Sequence, residues 1–307
     1  MDLRQLNALV ALADHGTFSA AADALHTVQS NVSAHIGRLE TELGSSLFDR
    51  TGGHLTEEGE AVVRRARRIT AELDAARADV AELRDEVVGG VTIGMIGTTA
   101  RWLVPQMMGE MNERHPLVHL RISEGTTTAL EPQLSSGKLD MAVILLPPPS
   151  SVDLATEDLF EEDMFLIVPT EDKFAGLESV NLRQLANMSF LLPPRGTAAR
   201  TEIDSACRAM GVSLIAKAEI DGVRLATSLT FDGYGPALLP ATAMPSFLNE
   251  GWSLVRVDGL PRRRVGLAYP RRSYPSAPAR ALREILKRIV ANDAEMHPGL
   301  HPSAASN

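Results

Sequence analysis

The stretch HTVQSNVSAHIGRLETELG, residues 26–44, carries Ser30, Asn31, Ser33, Ala34, Gly37 and Arg38 along a thin, mostly polar face. Val32, Ile36, Leu39 and Leu43 recur at i, i+4, i+7 and i+11 and define one buried stripe opposite it. Hydroxyls, amides and a guanidinium in such a row can hydrogen-bond base edges and phosphates. A helix entering a groove about 12 Å wide must also be free of bulky apolar groups on the entering side. Gln29, Ser30, Asn31, Ser33, Ala34, His35 and Arg38 are therefore candidate DNA contacts, close to a helix N-terminus whose dipole favours phosphate. The same pattern also suits an exposed helix with no ligand.

A second set could bind a small anion. Thr98 and Thr99 follow one apolar run, Thr126 and Thr127 a second, and Arg195, Gly196 and Thr197 a third, each just ahead of a helical pattern. Paired helix starts with hydroxyls across a cleft suit a carboxylate. Each threonine alone reads as a helix cap, and Arg195 alone as a surface charge.

Other chemistries lack residues to carry them. With one cysteine, Cys207, the chain closes no internal disulfide and completes no thiolate zinc site, and the histidines do not combine with acids into a metal motif. A buried, structural Cys207 is expected. Neither a phosphate-binding GxxxxGK[ST] loop nor a GxSxG elbow is present, so no catalytic residue, metal or cofactor is assigned. An enzyme or a plain solute-binding module using the threonine cleft is the alternative reading. No apolar run reaches the roughly 18 residues of a membrane span, and the start, MDLRQLNALVALADHG, is amphipathic, so a cytoplasmic location is expected. Net charge is −9, and residues 1–60 hold three Arg, no Lys and nine acids, so a DNA contact there must rest on a few well-placed groups.

The elements that would hold these residues follow from periodicity. Leu3, Leu6, Leu9, Val10 and Ala13 predict a helix ending near His15-Gly16; Thr17 then starts a short helix packing through Ala21, Ala22 and Leu25. Two short helices, the second slim outside, fit a helix-turn-helix at about 18–37. From Thr56 a long helix is expected, with Val62, Ala66, Ile69, Leu73, Ala76, Val80, Leu83 and Val87 alternating by four and three as a coiled-coil seam that wants a partner helix. Arg64, Arg65, Arg67 and Arg68 near its start could add phosphate contacts. After Gly89-Gly90, strands at 91–96, 118–122, 141–145, 164–168, 190–192, 237–239 and 265–268 alternate with helical patterns, predicting a parallel α/β sheet. The closing HPGLHPSAASN reads as a disordered tail.

The segment FSAAADALHTVQSNVSAHIGRLETELGSSLFDRTGGHLTEEGE resembles the winged helix-turn-helix of LysR-type transcriptional regulators. The family pattern is met by Gln29 to Glu40, Leu43 to Arg50 and Leu55 to Gly59, except that Val28 stands where the family commonly has a capping Ser or Thr. PLVHLRISEG, SSGKLDMAVIL, DGYGPALLP and RRVGLAYPRR resemble the family's effector-binding region. The resemblance implies an all-α winged head (1–58), with Arg50 and His54 on the wing, and a linker helix (59–88) that makes the dimer. It also implies an α/β effector-binding domain (89–307) of two periplasmic-binding-protein type II-like lobes, about 89–162 with 268–290, and about 163–267. The implied partners are double-stranded operator DNA with inverted repeats, a small and anionic effector, further copies of the chain up to a homotetramer, and RNA polymerase. The peroxide-sensing branch of that family uses two cysteines near here, whereas Ala198 and its neighbours supply no second thiol.

Overall fold

The computed structural model describes residues 1–84, 86–148, 154–244, 251–271, 275–294 and 297–303. Its head contains α1 (Leu3–His15), α2 (Phe18–Ala24), α3 (Gln29–Leu43) and the two short strands of a wing, β1 (Phe48–Asp49) and β2 (His54–Leu55). Asp2 and Gln5 close a capping box on α1, and Gly16 ends that helix at φ 76°, a left-handed turn that glycine adopts without strain. Thr17 Oγ1 accepts from the Ala20 amide (3.2 Å) and starts α2. Ala21 and Ala22 are buried with Ala8, Leu12, Val32 and Ile36, so the small residues of α2 let three helices meet closely. Burying Val32 and Ile36 contributes roughly 1.5–3 kcal/mol each. Leu25 and Leu43, expected inside, are 38% and 41% exposed, because each lies at or just past a helix end where the head core has run out.

The long helix is α4 (Glu57–Glu82), whose 26 residues span about 39 Å. Thr56 Oγ1 caps it, accepting from the Gly59 amide at 3.0 Å. It stops short of residue 88, leaving Val87 outside. One flank serves its own chain: Val63 and Ala66 join Leu6, Leu9, Leu39 and Leu47 of the head. Further along, Ala75 and Ala78 are buried, and Arg280 lies 3.5 Å from Asp79 and also pairs with Glu82. Ala66 therefore leaves the expected seam, while Ile69, Leu73, Val80 and Leu83 stay 39–88% exposed.

Beyond it the chain lays down β3 (Gly89–Met95), α5 (Gly97–Arg114), β4 (Val118–Glu124), α6 (Thr127–Ser135), β5 (Met141–Leu145) and β6 (Leu154–Glu162). It crosses to a second lobe with β7 (Met164–Pro169), β8 (Ser179–Asn181), β9 (Ser189–Leu192), α7 (Ala198–Met210), β10 (Ile215–Glu219), α8 (Val223–Phe231), β11 (Ala237–Pro240) and β12 (Trp252–Asp258). It returns with β13 (Arg263–Pro270), α9 (Ala277–Asp293) and β14 (Leu300–Pro302). Two six-stranded sheets result, ordered β14-β6-β13-β5-β3-β4 and β10-β9-β11-β7-β12-β8.

Both sheets are mixed, not parallel. β13 runs antiparallel to β5 and β6, and β7 antiparallel to β11 and β12, because strands on either side of a crossover carry the chain between lobes in opposite senses. The return crossing occupies 259–262, earlier than the expected boundary at 267–268, since Arg263 already pairs with Glu162 in the first sheet. Nor is the described part of the tail loose: Leu300, His301 and Pro302 add a strand to the edge of β6.

Candidate nucleic-acid interface and ligand cleft

On α3 the polar face is open. Gln29, Ser30, Asn31, Ala34 and Arg38 are exposed, Ser33 is half-buried, and the Cα of Gly37 has no heavy atom within 4 Å of where a Cβ would sit. The missing Ser or Thr ahead of Gln29 does not move the helix start. Val28 is the N-cap, without a side-chain hydrogen bond, and Thr27 Oγ1 instead accepts from the Asn31 side-chain amide (3.0 Å). The first amides of α3 are thus left without a side-chain cap beside exposed hydroxyls, the local chemistry that suits phosphate. His35 differs from its neighbours: it lies on the flank, half-buried, with Nδ1 sealed from solvent, because the helical repeat turns it toward Asp2 at the start of α1.

On the wing, Arg50 and His54 are both exposed. The Arg50 guanidinium lies 5.5 Å from the centroid of the Phe18 ring and 3.7 Å from Glu40 Oε2. Backbone amides of Gly52 and Thr51 hold the Asp49 carboxyl of the wing below its usual range. Of the four arginines opening α4, Arg67 is occupied by Asp14 of α1 (2.6 Å), and Arg64 pairs with Glu60 (3.8 Å). Arg65 and Arg68 border an apolar hollow of about 400 Å³ over Ile69 and Leu73, on the exposed flank of the helix.

The second set of residues divides. Thr98 and Thr99 sit inside the first turn of α5 and are buried, and the Oγ1 of Thr99 has no hydrogen-bond partner. Neither is the cap; Ile96 is. Thr126 and Thr197 are true N-caps, accepting from the Ala129 and Arg200 amides at 3.3 Å each. Thr127 Oγ1 accepts from the Leu145 amide (3.1 Å), tying α6 to β5. Gly196 turns at φ 88°, and Arg195 is 81% exposed, 3.8 Å from Glu219.

What stands across from α5 is α8. Arg224 of α8 donates to Glu124 at the end of β4 (2.5 Å), joining one lobe to the other beside Gly97. Periodicity alone missed α8, which begins at a glycine without a side-chain cap. Buried charge sits at the crossovers. Glu162, wholly buried, accepts from the Thr242 amide (3.0 Å) and hydroxyl (2.7 Å) and lies 3.2 Å from the Arg263 guanidinium. Beside it Asp163, of one crossing, accepts from Arg262, of the other (2.9 Å), and lies 3.0 Å from His301 Nε2. A hollow of about 400 Å³ there is lined by Asp163, Arg256, Asp258 and Arg262, away from the threonines.

Cys207 is buried in the second lobe's core with Leu166, Leu192 and Ile203. Burial, with Asp204 nearby, pushes its thiol up. Iodoacetamide at neutral pH is therefore expected to label the folded chain far more slowly than the denaturant-unfolded chain; equal labelling rates by mass spectrometry would show an accessible, activated thiol.

The family described as LysR substrate binding domain matches residues 84–291, and the one described as bacterial regulatory helix-turn-helix protein, lysR family, matches residues 3–60. The chain is 31% identical over 307 residues to the DNA-binding transcriptional dual regulator OxyR of Escherichia coli strain K12, covering 97% of each. A hydrogen peroxide-inducible genes activator of Dickeya chrysanthemi is likewise 31% identical, with 97% of each chain covered. Among solved structures, a full-length OxyR from Pseudomonas aeruginosa carrying a cysteine-to-aspartate change superposes with a TM-score of 0.77 at 25% identity, covering 94% of both chains.

Proposed function

Since the chain belongs to the LysR family of bacterial transcriptional regulators, with that family's helix-turn-helix and effector-binding domains, we propose that α3 is its recognition helix and lies in the major groove of operator DNA. LysR-type regulators bind DNA and oligomerise, and the open, slim face formed by Ser30, Ala34 and Gly37 is the observation that carries this reading. Gln29, Ser30, Asn31, Ser33 and Arg38 reach base edges or phosphates, and Arg50 and His54 follow the backbone from the wing. His35, sealed on one nitrogen, is left out of this set.

Pairing of the exposed α4 seams makes the dimer in this reading, and contacts between α/β domains make the tetramer. Two symmetry-related pairs of heads then span inverted repeats, positioned to bend DNA and alter access of RNA polymerase, in the cytoplasm where the chromosome lies. A small anion is the effector, held between the lobes at the first turn of α5, where buried Thr99 keeps a free hydroxyl, with Thr98, Thr126 and Thr127 of the same lobe and Arg195, Gly196 and Thr197 opposite. It acts only by binding one lobe arrangement better than the other. With one cysteine in the chain, a disulfide within the subunit is not the signal, whatever the peroxide relatives use. The domain binds its ligand without turning it over.

A gel shift against the chain's own upstream region, with and without candidate metabolites, tests the reading; no shift at low salt with any genomic fragment overturns it. The seam has its own test. Replacing Ile69 and Leu73 together by lysine removes four large apolar side chains from a dimer, at roughly 1.5–3 kcal/mol each if fully buried. Sedimentation is expected to show a dimer weakened at least about 100-fold, and an unchanged dimer would place the seam elsewhere.

A further inference from the structure

The turn between α3 and the wing is held by Thr56 of the α4 start, whose hydroxyl donates to the Ser46 carbonyl (2.7 Å) and whose amide donates to that of Leu47 (3.1 Å), and from the α3 side by one residue, Glu40. Its backbone carbonyl accepts from the amides of Gly44 (2.9 Å) and Ser45 (3.3 Å), ending α3. Its side chain continues the hold: Oε1 accepts from the Leu47 amide (2.8 Å) and the Ser46 hydroxyl (3.3 Å), and Oε2 lies 3.7 Å from Arg50. The Glu40 side chain is only 18% exposed, on the half-buried side of α3 away from Ser30 and Ala34. On its other side Arg50 stacks over Phe18, whose ring meets Phe48 edge-on at 5.4 Å. Two supports from different helices, α3 and α2, thus fix where the wing arginine points.

Resting on the DNA reading above, we propose that Glu40 is a positioning residue: it touches no DNA itself but locks the 44–50 turn onto α3 and aims Arg50 at the phosphate backbone. Its negative charge alone would repel phosphate, so loss of affinity on removing it cannot be a simple charge effect. An arginine held in one geometry gives up less freedom on binding than one that must be ordered at the moment of contact.

The test is a double-mutant cycle in the full chain, measured by anisotropy on a short duplex of arbitrary sequence over a low-salt series. Glu40→Ala is expected to weaken binding about tenfold and to lower the slope of log affinity against log salt by about 1, as Arg50→Ala does. The double variant is expected to bind no more weakly than Arg50→Ala alone. Glu40→Gln, which keeps an acceptor for the Leu47 amide, restores most of the affinity. Additive losses in the double variant, or a Glu40→Ala chain matching the wild type in affinity and slope, overturn the proposal while leaving the DNA reading standing. A wild-type chain that binds no duplex overturns both.

Discussion

Gly59→Ala is expected to destabilise the head by a large share of its stability. A Cβ at that position would lie 1.9 Å from the carbonyl oxygen of Leu47, 2.9 Å from its carbonyl carbon and 3.3 Å from its Cα. These are backbone atoms with nowhere to swing. The Leu47 amide is tied to Glu40 and its carbonyl accepts from Thr56 (3.1 Å), while its side chain, fully buried, joins Leu6, Leu9, Leu39, Val63 and Ala66. Either α4 lifts off the head or the turn before the wing gives way, and both open that cluster. Forced overpacking typically costs about 1–3 kcal/mol and, against backbone atoms this close, sits at or above the top of that range, out of a total stability of roughly 5–15 kcal/mol for a domain. Gly37→Ala is the contrast: nothing lies within 4 Å, and alanine is expected to favour the helix by up to about 1 kcal/mol. Calorimetry of the full chains separates the two, since Gly59→Ala should lower or erase a head transition and leave the α/β transition in place. An unchanged head transition in Gly59→Ala would mean the α4 junction is looser than its contacts imply.

The same junction explains why the head was so readable. Helical period, alanines where helices cross and threonine caps all agree locally, so Val32, Ile36, Ala21 and Ala22 lie where periodicity puts them. Agreement fails where a residue serves something beyond its own helix. Ala66 keeps the 3-4 spacing of a seam but faces Leu6 and Leu9, since α4 is shared between its own head and an unpaired flank, and spacing does not say which stripe is which.

In the α/β part most of the legible strands are apolar and doubly covered, such as Val91, Ile93 and Met95 or Met141 to Ile144, with β4, an edge strand of alternating exposure, an exception. β6, LATEDLFEE, carries four acids that pair with Arg263 and Arg264 of β13, Arg262 of the crossing and Arg283 and Lys287 of α9, and β10, IAKAE, is an exposed edge; neither carries an apolar run to read. β14 exists only because β6 offers it an edge. The residues proposed to bind the anion were chosen by residue type and position ahead of a helix, whereas Arg224 opposite α5 and the buried Glu162 with Arg263 depend on crossovers that no local pattern encodes.

Ala34→Trp is expected to leave the fold intact and abolish DNA binding. The side chain of Ala34 points outward from α3 and is exposed, so an indole there displaces nothing within the chain, and helicity and melting should match the wild type. A recognition helix in the major groove has its outermost residues close to base edges, within a groove about 8.5 Å deep, and an indole there holds the helix away from the floor. The polar contacts proposed for Ser30, Asn31 and Arg38 would then be lost together, as they share that face, so the expected cost exceeds that of any one of them. A drop of at least about 100-fold is expected, close to 2.7 kcal/mol. Unlike an alanine scan, the change adds an obstacle and removes no hydrogen bond, so it reports on shape alone. If the tryptophan chain were to bind the upstream fragment as tightly as the wild type, the outer face of α3 would not be the surface that enters the groove, and the polar residues along it would owe their exposure to solvent.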